Sequence, residues 1–91
     1  MGVRERSAAY EIVAASQTAQ VLGPTGGVGD YLSRIVMGAN TGTVTLLDGA
    51  VTVLVIPALT TGSIEVGAIC ATNWNITTAA ATSCIGVGEF T

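Results

Sequence analysis

Short β-rich runs separated by glycine-, threonine- and proline-containing breaks recur along this chain, and their spacing limits the folds it can adopt. The runs YEIVAA, VTVLVIPA and SIEVGAIC contain many β-branched and aromatic residues. Such runs at regular intervals, with turn residues between them, are typical of all-β sandwiches and barrels. We therefore predict an all-β fold, an antiparallel β-sandwich that is jelly-roll-like and has about eight short strands.

Eight segments fit this pattern. They are residues 10–15, 18–22, 30–37, 42–48, 51–58, 63–70, 73–79 and 83–91. The fourth and fifth segments flank Asp48-Gly49, a dipeptide that strongly favours a tight hairpin. A chain of this length forms one domain, so we expect a single β-sandwich domain over residues 9–91 and an N-terminal arm over residues 1–8.

Residues 30–37 have two interpretations. A strand with strict alternation places one set of side chains on one face and a second set on the other. The first set is Tyr31, Ser33, Ile35 and Met37, and the second is Leu32, Arg34 and Val36. The alternative is a helix, with Asp30 as its N-cap and Gly38 as its terminator. We predict the strand and keep the helix as the alternative.

The segment VTVLVI is apolar on both faces. One face has Val51, Val53 and Val55, and the other has Leu54 and Ile56. Strands of this composition are typically covered on both sides, and Pro57 ends the strand because proline cannot donate to a sheet ladder. We therefore expect both faces of this strand to be covered.

The run GPTGGVG places Gly23, Gly26 and Gly29 at the spacing of a dinucleotide-binding loop. That motif needs a helix after the glycines and an acidic residue about 20 residues onward, where Asp48 lies. The residues after Asp48, however, alternate as strands do and provide no helix to cover a parallel sheet. We interpret the glycines as turn positions and predict no cofactor.

The charge content excludes several functions. Charged residues make up only 10% of the chain, the net charge is −3, and histidine and lysine are absent. Phosphate neutralisation needs clustered cations, catalytic triads and P-loops need histidine or lysine, and a membrane span needs about 20 apolar residues. We predict no nucleic-acid partner, no membrane association, no metal and no enzymatic activity. Because so few charges protect poorly against association, we expect copies of the chain or another protein to cover much of its surface.

Two features leave alternatives open. Cys70 and Cys84 either form one disulfide or are two buried apolar thiols. Trp74, between Asn73 and Asn75, is either a core residue or an aromatic platform that binds a glycan. Asn75 also begins an N-I-T glycosylation pattern, which we interpret as chance because the start of the chain is not a secretory signal.

Three long stretches resemble a known group of proteins. They are YEIVAASQTAQVLGPTGGVGDYLSRIVM, LLDGAVTVLVIPA and WNITTAAATSCIGVGEFT. In this order they are similar to small structural proteins of tailed-bacteriophage virions, over residues 10–91. The most recognisable parts are the glycine turn that leads into residues 29–32 and the terminal IGVGEF.

The resemblance implies a β-sandwich protein that decorates the capsid or forms part of a spike, collar or fibre, commonly as a homotrimer. We expect a capsid decoration protein, made in the host cytoplasm and located in the virion, that binds itself and the major capsid protein or another virion protein. Arg4, Glu5 and Arg6 would form a docking arm, and Cys70 and Cys84 could link subunits. The alternative function is a glycan-binding module of a virion spike or fibre.

Overall fold

A computed structural model describes residues 9–23 and 26–90 of the chain, with only the backbone described for Ala9. The described residues form eight strands and contain no helix. The strands are β1 (Ala9–Val13), β2 (Gln20–Val21), β3 (Tyr31–Asn40), β4 (Val44–Asp48), β5 (Val51–Ile56), β6 (Ser63–Ile69), β7 (Trp74–Thr78) and β8 (Thr82–Glu89). Each predicted segment overlaps one strand, so the all-β prediction is confirmed and the helix alternative for residues 29–38 is wrong.

The strands form two four-stranded antiparallel sheets. Sheet A has the order β1-β8-β3-β6, and sheet B has the order β2-β7-β4-β5. The first strand therefore pairs with the last, the second with the seventh, the third with the sixth and the fourth with the fifth. This nested pairing, divided between two sheets, is the connectivity of a jelly roll.

The β4–β5 hairpin is the innermost of these nested pairs. Asp48 pairs with Val51, so Gly49 and Ala50 form a two-residue turn. Gly49 has a φ of 61°, whereas Ala50 is not in the positive-φ region. Glycine at the first central position is the signature of a type II′ turn, whose twist matches that of the two strands.

Strand β3 departs from the strict alternation that we predicted. Leu32 and Ile35 are both buried although they are three residues apart. The register with both neighbouring strands shifts between Leu32 and Arg34, so Ser33 is an extra residue relative to β8. Because such a bulge reverses the side-chain alternation after it, Leu32 joins Ile35 and Met37 on the inner face instead of opposing them.

Strand β5 corrects a second prediction. It is an edge strand of sheet B, and only its inner face is covered, by contacts of Leu54 and Ile56 with the core. In this single chain Val51, Val53 and Val55 remain exposed. The composition of the segment correctly indicated two apolar faces, but the single chain covers only one of them.

The hydrophobic core lies between the two sheets and takes residues from both. Its buried members are Val13, Leu22, Leu32, Ile35, Val44, Leu46, Ile56, Cys70, Trp74, Ile76 and Cys84. From β7, both Trp74 and Ile76 belong to this core. In β8 the inward positions Cys84, Gly86 and Gly88 are buried between half-buried outward positions.

Polar side chains fasten the β1–β2 connection to sheet B. The buried Thr78 hydroxyl donates to the carbonyl oxygen of Ala14 (2.7 Å) and accepts from the backbone N–H of Gln17 (2.9 Å). The Glu11 carboxylate in β1 accepts from the backbone N–H of Gly23 (2.7 Å) and from the Gln20 side chain (2.8 Å). These contacts hold β2 beside β1 and therefore join the two sheets at one edge of the sandwich.

Candidate functional site

The two cysteines are free and buried in different parts of the core. Cys70 follows β6, and its thiol lies 3.3 Å from the carbonyl oxygen of Gly27, to which it donates. Cys84 faces inward from β8, and burial raises the pKa of its thiol to about 11. No disulfide joins them here. Since neither sulfur lies at the surface of the described chain, a link between subunits through either one would require the sandwich to open.

The glycine run connects β2 in sheet B to β3 in sheet A. Gly23, Gly26 and Gly29 all have positive φ values, of 90°, 69° and 86°. Other residue types rarely adopt these angles, which explains why glycine recurs here. A strand follows the run where a dinucleotide fold would need a helix. The run therefore turns the chain from one sheet to the other, as we interpreted it from the sequence.

Trp74 belongs to the core. Only 3% of its surface is exposed, and its indole N–H donates to the carbonyl oxygen of Asp30 at 2.9 Å. A buried tryptophan needs such an acceptor, so the contact also ties β7 to the loop before β3. The interpretation of Trp74 as an exposed platform for a glycan is wrong.

Asn75 lies on the side of β7 that points away from the core, yet it is buried. Its amide nitrogen donates to the carbonyl oxygen of Gly49 and to the side-chain oxygen of Asn73, both at 3.0 Å. The amide is thus engaged and inaccessible in the folded chain, in agreement with the interpretation that the N-I-T pattern is chance. Its own oxygen is buried without a hydrogen-bond partner.

Two aspartates of the described residues accept hydrogen bonds from backbone N–H groups. Asp30 accepts from the backbone N–H of Gly27 at 3.2 Å, and Asp48 accepts from those of Ala71 and Thr72 at 2.8 Å each. The two bonds to Asp48 lower its pKa. Across residues 9–23 and 26–90, no group of three or more histidine, cysteine, aspartate or glutamate residues could hold a metal ion.

The described part of the chain also has no helix that is long and apolar enough to cross a membrane. The proposed docking residues Arg4, Glu5 and Arg6 lie outside the described residues.

What sequence patterns did not reveal is which apolar residues remain exposed. On β5, the residues Val53 and Val55, here called the β5 strip, are 49% and 53% exposed, whereas Val51 pairs with Asp48 beyond the shift in register and lies outside this strip. On β1, the residues Tyr10 and Ile12, here called the β1 strip, are 67% and 62% exposed. Scattered exposed apolar residues are ordinary, whereas contiguous ones mark interaction surfaces. These two strips are the candidate functional surfaces of the molecule.

Half-buried neighbours extend both strips. Register places Val55 beside Thr45, and Thr45 beside Thr77, on the outer face of sheet B. On sheet A, Tyr10 pairs with Val87 and Ile12 pairs with Ile85. A signal for the β5 strip exists in the sequence, because no charged residue occurs between Gly49 and Ile64. No comparable signal marks the β1 strip.

No protein-family model, curated protein or solved structure matches this chain.

Proposed function

We propose that this protein is a structural subunit of a bacteriophage virion, a capsid decoration protein that assembles with copies of itself, as a homotrimer, and binds the major capsid protein or another virion protein. The observation that carries the proposal is a jelly-roll sandwich with two separate exposed apolar strips. The resemblance of the sequence to small virion proteins supplies the biological setting.

The architecture supports a role in assembly. Eight-stranded jelly rolls occur widely in viral capsid proteins and in lectin domains. A lectin role needs an exposed polar or aromatic binding site, and the tryptophan that we considered for it is in the core. The glycan-binding alternative therefore loses the aromatic residue on which it was based.

The surface supports the same role. A chain with a charged fraction of 10% and a net charge of −3 has few groups that keep it apart from its neighbours. Small domains with limited cores commonly gain stability by oligomerisation. Contacts with a second copy and with another virion protein would together remove both strips from water, and each Å² of apolar surface buried contributes about 25 cal/mol before the costs of association.

Two different surfaces suit two different partners. The β1 strip follows directly on the N-terminal arm, whose residues Arg4, Glu5 and Arg6 are charged. In the proposed assembly this side of the sandwich binds the underlying shell. The β5 strip lies in the other sheet and remains available for a different contact.

The test is the location of the protein in intact particles. Virions of the phage that encodes the chain are purified on a density gradient and analysed by quantitative mass spectrometry. We expect the chain to sediment with the particles in a fixed ratio to the major capsid protein. Recovery of the chain only from the soluble fraction would overturn the proposal.

A truncated chain tests the docking arm separately. A chain lacking residues 1–8 is added to particles that lack the protein, beside the full-length chain. We expect weaker binding by the truncated chain with an unchanged circular dichroism spectrum. Equal binding by both would show that the arm does not dock.

A further inference from the structure

The four edge strands of the sandwich are not equally protected. Natural sheets protect their edges with charges, short strands, bulges or covering loops. Strand β2 has only two residues, β1 contains Glu11, and β6 contains Glu65 and a positive-φ Gly67 beside its register shift. Strand β5 has a bulge at Val53 but contains no charge and no proline over six residues. It is therefore the longer of the two uncharged edges.

The whole of sheet B has little charge. Asp48 is the only charged residue in its four strands, and its carboxylate is bound to two backbone amides. Sheet A, in contrast, has charges in every strand, with Glu11, Arg34, Glu65 and Glu89. Two copies of a chain with a net charge of −3 repel each other least when they meet through an uncharged surface. The outer face of sheet B beside β5 provides such a surface.

The position of β5 separates it from the N-terminal side of the molecule. Glu11 and Gln20 hold β2 against β1, and β5 lies at the opposite end of sheet B from β2. A copy that packs on β5 would leave β1 free to bind another protein. The two contacts can thus be made at the same time.

The geometry of β5 favours contact through side chains. Its register with β4 shifts between Leu46 and Leu47, which leaves Val53 as an extra residue. A bulge bends the strand and interrupts regular pairing, so another strand would not continue this ladder smoothly. A stable contact buries about 800 Å² per partner. It must therefore extend from the β5 strip over Thr45 and Leu47.

We propose that a second copy of this chain packs against the β5 strip and the adjoining outer face of sheet B. The inference rests on the self-assembly included in the proposed function and assigns it a surface. The contact is made by side chains, with Val53 and Val55 at its centre.

The experiment measures the mass of the purified full-length protein in solution. Sedimentation velocity is recorded over a range of concentrations for the natural chain and for the double variant Val53→Lys, Val55→Lys. Both valines are about half exposed in the single chain, so lysine can reach water without disturbing the core. We expect the natural chain to sediment as a multiple of 9.1 kDa. We expect the double variant to associate at least about a hundredfold more weakly, because assembly would bury unpaired charges.

Matched variants show whether the site is specific. Val28→Lys makes the same change at a valine that is 76% exposed in the turn before β3, and we expect it to associate normally. The milder pair Val53→Thr, Val55→Thr keeps the β-branched shape without a charge, and we expect a smaller loss of association. Circular dichroism and thermal melting confirm that each variant is folded.

Three results would overturn the inference. They are a natural chain that remains monomeric at all concentrations, a lysine variant that associates normally, and dissociation by Ile12→Lys on β1 without dissociation by the β5 variant. These outcomes are independent of the virion experiment. A chain that associates through β5 but is absent from particles would refute the proposed function and leave the β5 interface intact.

Discussion

At the scale of single residues, Asp48 shows how one carboxylate organises a loop. It ends β4, and its two oxygens accept from the backbone N–H groups of Ala71 and Thr72, each at 2.8 Å. The connection between β6 and β7 is thereby held against the β4–β5 turn, where the N–H of Gly49 also donates to the carbonyl oxygen of Asn73. Hydrogen bonds to the ionised form lower the pKa of Asp48.

We predict that Asp48→Asn lowers the melting temperature at neutral pH and that the difference from the natural chain shrinks in acid. The pKa of Asp48 is lower in the folded than in the unfolded chain. The stability that the ionised carboxylate gives to the fold is therefore fully present above the unfolded pKa of about 3.9. It is lost as the pH falls through the folded pKa. Melting curves between about pH 7 and pH 2 test this pH dependence.

The control for Asp48 is Glu65→Gln, which removes one exposed carboxylate from β6. We expect it to melt close to the natural chain at every pH. A difference between Asp48→Asn and the natural chain that stays constant with pH would show that the charge of Asp48 does not stabilise the fold.

At the scale of elements, β8 is central to sheet A because it lies between β1 and β3. Two of its buried inward positions are glycines, and they differ in what lies next to them. A Cβ at Gly88 would overlap the backbone carbonyl of Tyr31 in β3, whereas a Cβ at Gly86 would meet the tip of the Leu22 side chain at 3.0 Å. Backbone in a sheet cannot move aside as a side chain can.

We predict that Gly88→Ala destabilises the fold by about 3 kcal/mol or more, at the upper end of the range for overpacked cores. Gly86→Ala is the matched control on the same face of the same strand, and we expect a loss of about 1 kcal/mol or less, since the Leu22 side chain can move. Urea unfolding followed by tryptophan fluorescence measures both. Equal losses in the two variants would contradict the assigned difference between backbone and side-chain neighbours.

The strands also show which features of the fold can be predicted from the sequence. Strands and the β4–β5 hairpin were predictable because alternation and turn chemistry are local properties. The bulge at Ser33 was not, since it depends on the registers that β6 and β8 impose on β3. The exposure of Val53 and Val55 was equally unpredictable from the sequence, because a strand that is apolar on both faces has the same composition at the edge of a sheet as at its centre.

The candidate surface was only partly predictable from the sequence, because exposure depends on where a strand lies in its sheet. The absence of charge between Gly49 and Ile64 is visible in the sequence, and low total charge indicated that the surface is covered in an assembly. Which residues form that surface depends on the order of the strands, and this order is set by pairings between residues far apart in the chain. Trp74 shows the same limit, since the sequence left a core and a surface position open for it and the fold places it in the core.

At the scale of the whole molecule, the two thiols report on the integrity of the sandwich. Cys70 and Cys84 are both buried, and a reagent reaches them only when the sandwich opens. The pKa of Cys84, raised to about 11 by burial, further limits formation of the reactive thiolate at neutral pH.

We predict that a thiol-specific chromogenic reagent labels the folded protein at least about a hundredfold more slowly than the protein in denaturant. The variants Cys70→Ser and Cys84→Ser leave one thiol each and separate the two rates. Both thiols of the natural chain should titrate in denaturant without reductant. Fast labelling of the folded chain would contradict the burial, and missing thiols in denaturant would reveal a disulfide.

The nested pairing of strands sets the order in which the molecule can be completed during its synthesis. Strand β1 pairs only with β8, and β2 pairs only with β7, so the first two strands wait for partners that the ribosome makes only after the four strands between them. Pairings between residues so distant in sequence form slowly and leave strand edges unpaired meanwhile. The β4–β5 hairpin needs no such partner and can form while the rest of the chain is being made. The uncharged β5 edge of the finished sandwich is therefore available from the earliest stage of folding, when neighbouring nascent chains would also meet it.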